Sequence, residues 1–206
     1  MTIELHGAPT GNCIRAAIAL EEARLPYVVR RIDMRHAEHR QAPFLTLNPV
    51  GQVPVIVDHG DPARPLVLTQ SNAIILHAAD RAPGRLLPEA DAARRALVFE
   101  RFFYFVTDVI APSHAAFYLR TQKIDRGPGI LDQRAVSRLD RAEHFASLSP
   151  FMAGEDFSIA DIAAFTITSS YREQVRWSGL PHLERWFQAI EQRPAVIRGT
   201  QAFGSW

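Results

Sequence analysis

The chain has one cysteine, Cys13, and one lysine, Lys123, among 206 residues. A single cysteine excludes an internal disulfide and a dithiol redox pair within the chain. With 23 basic and 22 acidic residues the formal charge is +1, and no basic tract is present to neutralise a phosphate backbone, so nucleic acid is not an expected partner. The surplus of arginine over lysine reads as the codon bias of a GC-rich genome. The N-terminus "MTIELHGAPT" lacks the basic start and long apolar core of a secretory signal, and a reducing cytoplasm fits the lone cysteine. Long apolar runs are missing too. The most apolar stretch, "FFYFVTDVIA" at 102–111, is bounded by Arg101, broken by Asp108 and followed by Pro112, so it is too short to span a bilayer and reads as a buried helix. No internal repeat or low-complexity tract is seen.

What is present is 47% hydrophobic residues, enough for a sizeable core in one large domain or two small ones. In the first part of the chain the apolar period alternates. "TIELH" is a short strand, and 12–24 is a helix with Cys13, Ala16, Ala17 and Leu20 at the i, i+3, i+4, i+7 spacing. "YVVRRID" follows as a strand from Tyr27, then an irregular stretch near 36–47, the strands "VPVIVD" and "PLVLT", and a helix over 71–81. The order is β-α-β-α-β-β-α. From Pro88 onward every pattern is helical: 89–120, 130–148, 159–176 and 182–193, the last stopped by Pro194. The expected organisation is an α/β domain over 1–82, a Pro- and Gly-containing linker over 83–91, and an all-α domain over 92–206. In "FSIADIAAF", Ser158 with Asp161 forms a capping box and Phe157 with Ile162 a hydrophobic staple, a folding signal that marks a helix start.

Four stretches, "PTGNCIRAAIALEEARLPY", "HRQAPFLTLNPVGQVPVIVD", "TQSNAI" and "GEDFSIADIAAF", together resemble the soluble glutathione transferases, and the resemblance covers essentially the whole chain. The family joins a thioredoxin-like domain to a helical one. The resemblance implies glutathione as co-substrate and a homodimer, and no metal is expected.

By their own chemistry, Gln70 and Ser71 at a helix start offer an amide, a hydroxyl and free backbone N–H groups to a carboxylate, where the helix dipole also favours negative charge. The plainer reading is a helix cap. The resemblance assigns the pair to the γ-glutamyl end of glutathione, with Gln70 where many members carry Glu. For Val53-Pro54 the sequence alone says trans, since about 5–6% of X-Pro bonds are cis. The resemblance implies cis, with the N–H and C=O of Val53 pairing to the cysteinyl part of glutathione like an added strand and Gln52 alongside. It also implies that His39 and Arg40 hold the glycyl carboxylate, which a guanidinium can do bidentately. His36 and His39, three apart, also fit a metal pair, although no third ligand is apparent.

Thr10, Asn12 and Cys13 crowd the mouth of the first helix. Against a CxxC redox motif, Thr10 takes the exposed reactive place and Cys13 the buried one, in agreement with the apolar stripe. The resemblance sets Thr10 on the hydroxyl that donates to the sulfur of glutathione. A thiol of pKa ~8.5 must fall by roughly two units, about 2.7 kcal/mol, to be mostly thiolate at neutral pH. One hydrogen bond to a charged acceptor supplies about 1.5–3 kcal/mol and a helix dipole about 0.3–1 more. Asn12 completes a Thr-x-Asn pair like that of a bacterial class of glutathione-dependent disulfide-bond reductases; its plain reading is a cap. The acceptor pocket is expected opposite Thr10, from Phe103, Tyr104, Thr107, Asp108, Ala111 and Tyr118 on the long helix, with Phe203 and Trp206 as a lid. The resulting expectation is a cytoplasmic transferase whose activated thiolate attacks a small hydrophobic electrophile. The alternatives are disulfide or peroxide reduction at the same site, or a binding module without catalysis on the same scaffold.

Overall fold

Strands β1 (Ile3–Gly7), β2 (Tyr27–Arg31), β3 (Val55–Asp58) and β4 (Leu66–Thr69) make one sheet in the order β2-β1-β3-β4 in the computed structural model, which describes residues 2–204. β1 runs parallel to β2, with Ile3 beside Tyr27, and antiparallel to β3, with Leu5 beside Ile56. β3 and β4 are antiparallel, with Ile56 beside Leu68. A parallel pair needs a crossover, and helix α1 (Gly11–Glu22) supplies it between β1 and β2. The irregular stretch resolves into a 3₁₀ turn over Glu38–Arg40 and one helical turn, α2 (Ala42–Leu45), whose Phe44 buries against Ile32 and Val55. Helix α3 (Ser71–Arg81) follows β4.

Helix α1 is the centre of this unit. Cys13 and every residue from Arg15 to Leu20 are buried, because α3 and a late helix, α9 (Pro194–Gln201), both pack on it. At its mouth Thr10 is extended, and its Oγ1 accepts from the Cys13 N–H at 3.4 Å. The Cys13 thiol is fully buried, accepts from the Ala8 N–H at 3.5 Å, and burial raises its pKa, so it belongs to the core and is no thiolate. Phe203 lies beside it: a Cβ on Gly7 would meet the Phe203 ring at 2.8 Å and the Cys13 sulfur at 2.9 Å. Phe203 is therefore a core residue, in place of the lid expected of it, and Trp206 lies outside the described residues.

The second unit spans Leu87–Glu191. The helical run expected over 89–120 is continuous but of mixed pitch: α4 (Ala92–Phe103), a π-helical segment over Tyr104–Ile110, and α5 (Ala111–Thr121). The Ala111 N–H bonds to the Val106 carbonyl, five residues back. Pro112 explains the widening, since a proline inside a helix donates nothing to the carbonyl four residues earlier and its ring crowds it. Helices α6 (Pro128–Leu148), α7 (Ile159–Ser170) and α8 (Pro181–Glu191) complete the unit. The capping box forms, and Asp161, fully buried, accepts from the N–H of Met152 (2.8 Å), the N–H and hydroxyl of Ser158 (3.0 Å each) and the Trp186 indole (2.9 Å). Burial pushes its carboxyl pKa up, and the four donors oppose that. α7 ends at Ser170, six residues before the expected 176.

Pro194 stops α8 and also opens α9, a helix that the sequence reading leaves out. The segment from Gln192 joins residues 1–86 in the first unit, where the pattern alone assigns everything after 92 to the helical domain. The fit of α9 on α1 depends on Gly199, because a Cβ there would lie 2.6 Å from Ile18 Cγ1 and 2.8 Å from its backbone nitrogen. Among the described residues no helix is long and apolar enough to cross a membrane.

At the other edge of the unit, Asp58 at the end of β3 is buried and bonded to His77 Nε2 (2.7 Å), to Arg81 and to the Gly60 N–H (2.9 Å), which pins the C-terminal half of α3 to the sheet. Burial acts to raise its pKa, but the His77 and Gly60 bonds and the Arg81 charge outweigh it and the carboxyl sits below its ordinary value. A depressed carboxylate stabilises the fold above its unfolded pKa and loses that contribution as pH falls through the folded value. Asp58→Asn is thus expected to be less stable at neutral pH by about 1–3 kcal/mol, with the gap closing below pH ~4, as read by urea denaturation across pH. Gly199→Ala is expected to overpack the α1–α9 contact and lower stability by about 1–3 kcal/mol in the same measurement.

Candidate functional site

Two groups of site residues take shape within the first unit. The first is built on the N-terminal ends of α1 and α3. Arg15, one turn into α1 and only 2% exposed, donates from one Nη1 to Asn12 Oδ1 at 3.0 Å and to Ser71 Oγ at 3.2 Å. Burial lowers its pKa to about 10, so it remains a cation at neutral pH. A guanidinium only donates, so the Asn12 carbonyl oxygen must face Arg15 and its amide Nδ2–H₂ is turned elsewhere. The Ser71 oxygen is occupied in the same way, and the Thr10 oxygen is occupied by the Cys13 N–H. Each of the three oxygens thus accepts one protein N–H and keeps a second lone pair. The donors they offer a ligand are two hydroxyl protons and an amide.

The helix ends reinforce this. Gln70, which precedes α3, is exposed, adopts φ +70° and makes no side-chain cap bond. A non-glycine residue held in that region costs about 1–3 kcal/mol and tends to cluster at binding sites. The buried Oδ1 of Asn72, next to Ser71, has no hydrogen-bond partner among the described residues.

The second group lines the loop that enters β3. Asn48 holds that loop by donating to the Gln52 carbonyl (2.7 Å) and accepting from the Val50 N–H (3.1 Å). Gly51 (φ +65°) sits against the preceding 3₁₀ turn, where a Cβ would meet the His39 carbonyl at 2.9 Å. Arg40 Nη1 donates to the Val50 carbonyl at 3.4 Å, so His39 and Arg40 lie against the Val50–Gly51 turn, with Gln52 next along the chain. The His39 ring has a buried Nδ1 without a partner among the described residues, and burial followed by the Arg40 charge lowers its pKa. The Val53–Pro54 peptide is cis. His36 does not pair with His39. Its Nδ1 lies 2.7 Å from Asp33 Oδ2, and no cluster of three or more metal-ligating side chains exists among the described residues.

On the helical unit, Phe103 is 50% exposed, Thr107 donates to its carbonyl at 2.8 Å, and Ala111 is exposed one turn on. Asp108 lies 3.9 Å from both Arg134 and Arg138. Tyr104 is placed apart from Phe103: its ring meets Phe105 and Phe145 edge-on and its hydroxyl donates to the Arg138 carbonyl at 2.7 Å. Tyr118 stands exposed on α5. The residue that the sequence reading missed is Arg15. Its only local signal is the i, i+3 spacing from Asn12; Ser71 lies 56 positions away.

Residues 11–81 match the family model of the glutathione S-transferase N-terminal domain, and residues 107–194 match that of the C-terminal domain. The chain is 29% identical over 204 residues to the disulfide-bond oxidoreductase YfcG of Escherichia coli, covering 94% of this chain and 92% of that one. A glutathione transferase family member from Pseudomonas fluorescens, solved with two glutathione bound, superposes with a TM-score of 0.84 at 28% identity, over 96% of this chain and 92% of that one. A glutathione transferase from Burkholderia graminis, with two glutathione molecules per subunit, gives a TM-score of 0.86 at 27% identity, over 100% and 90% of the chains. With a sheet of mixed strands followed by a helical unit, and with both family domains matched in order along it, the chain belongs to the glutathione S-transferase family.

Proposed function

We propose that the protein is a glutathione transferase in which Thr10 stabilises the glutathione thiolate for attack on an apolar electrophile. The observation that carries this reading is that Thr10, Asn12 and Ser71 each have an oxygen engaged by a protein N–H, which favours turning their hydroxyl and amide donors to a ligand, as a thiolate and a carboxylate require. The γ-glutamyl carboxylate sits on Ser71 and the first N–H groups of α3, the cysteinyl backbone on Val53 beside Pro54 and Gln52, and the glycyl carboxylate on His39 and Arg40. Gln70 accepts the glutathione ammonium without the charge that a carboxylate would give. The thiol proton leaves to solvent, the sulfur forms a bond to the electrophilic carbon, and the leaving group departs with its electron pair. Phe103, Thr107, Asp108, Ala111 and Tyr118 form the acceptor surface, with Tyr104 behind them. We place the protein in the cytoplasm as a homodimer.

Reduction of glutathione disulfides is the second reading. It is favoured by the Asn12 amide, a second sulfur donor beside Thr10, and by similarity to a disulfide-bond oxidoreductase.

Titration with reduced glutathione in two buffers of different ionisation heat tests the shared first step, since saturable binding with proton release means a bound thiolate. Absence of binding would sink both readings; binding with neither conjugation nor reduction would leave a binding module. Thr10→Ala is expected to raise the pKa of the bound thiol by about 1–2 units and lower kcat/KM about ten- to hundredfold, while Thr10→Ser keeps both. Phe103→Ala is expected to raise KM for apolar electrophiles while leaving glutathione affinity unchanged, in steady-state assays with each substrate varied in turn.

A further inference from the structure

We infer that Arg15 is a positioning residue for sulfur activation: by holding the Asn12 carbonyl oxygen it commits the Asn12 amide to donate toward the glutathione sulfur, and it couples that donor to Ser71. This rests on the glutathione reading above. The geometry behind it is a single buried nitrogen, Arg15 Nη1, shared between Asn12 Oδ1 at 3.0 Å and Ser71 Oγ at 3.2 Å.

An asparagine side chain can present either its oxygen or its amide, and an uncommitted one beside a thiolate would turn its oxygen toward the sulfur part of the time, with a repulsive contact. A donor-only partner removes that freedom. Solvent competes poorly for the bond, because the Arg15 side chain is buried and its neighbours Cys13 and Ala16 are buried too. The cation also polarises both groups, so each becomes a better donor on its far side. Thr10 is held independently through its own bond from the Cys13 N–H, so the two sulfur donors are set by separate devices. Lysine does not reproduce the arrangement: its nitrogen ends one bond short of the place of Nη1, so it cannot reach Asn12 on α1 and Ser71 on α3 together.

The test measures the pKa of bound glutathione from the ultraviolet absorbance of its thiolate against pH, in wild type, Arg15→Lys, Asn12→Ala and the double variant, with a thermal melt of each. Arg15→Lys is expected to raise the thiol pKa by about one unit, a tenfold loss of thiolate below that pKa, and to add nothing further once Asn12 is alanine. An equal shift with and without Asn12, or no shift in either background, overturns the inference and leaves Arg15 as part of the core. If Arg15→Lys does not fold, Arg15→Gln takes its place in the same cycle with the same expected coupling, and an unchanged thiol pKa in Asn12→Ala ends the inference in either case. Glutathione binding by wild type without this coupling defeats only this inference, whereas no binding defeats the proposed function as well.

Discussion

A guanidinium withdrawn from water costs several kcal/mol unless acceptors surround it, so a buried arginine dictates the arrangement of whatever it touches. Arg15 imposes that constraint on the first unit. To satisfy it, the first turn of α1 must bring Asn12 around, and α3 must start where Ser71 reaches the same nitrogen. The consequence is chemical as well as mechanical. Engaging one lone pair of each oxygen from within the protein biases these groups toward donation before any ligand arrives, which is preorganisation of the kind the proposed thiolate would use.

The opposite end of α3 is fixed by a charge of the other sign. Asp58 holds His77 and Arg81 against the end of β3, so α3 is anchored at both ends and its N-terminus has little freedom to drift. The helical unit repeats the device on its own terms. Asp161 gathers two backbone N–H groups, a hydroxyl and an indole, and so joins the start of α7 to the preceding turn and to α8. Networks of this kind specify one packing because a half-satisfied member is worse than none.

Much of this was legible in the sequence wherever local physics decides. The alternation of Ile3 and Leu5 marked β1, the short apolar run before Asp58 marked β3, the Ser158–Asp161 spacing marked the start of α7, and the apolar stripe put Cys13 in the core. What stayed hidden depends on distant partners. Arg15 reads as an ordinary polar position in a helix until Ser71 is beside it. Tyr104 and Phe103 are neighbours in sequence, and only the helical packing sends the Tyr104 hydroxyl to the Arg138 carbonyl. Pro112 was seen as a boundary of the apolar run, whereas the chain absorbs it by widening the preceding turn. An amphipathic helix after Pro194 carries no mark of which unit it serves; the close approach of Gly199 to Ile18 settles that, and a glycine has no hydropathy to announce it.

That last contact sets an order of events during synthesis. The first unit is discontinuous along the chain, closed by a helix made more than a hundred residues after the one it covers. At about 5–20 residues per second, on the order of ten seconds pass between the emergence of the two parts. Within that interval the whole helical unit is synthesised, while α1 still presents Ile18 to whatever is nearby. The domain whose residues leave the ribosome first is the last to be finished, and the helix that carries Thr10, Asn12 and Arg15 waits on Gly199 for its final neighbour.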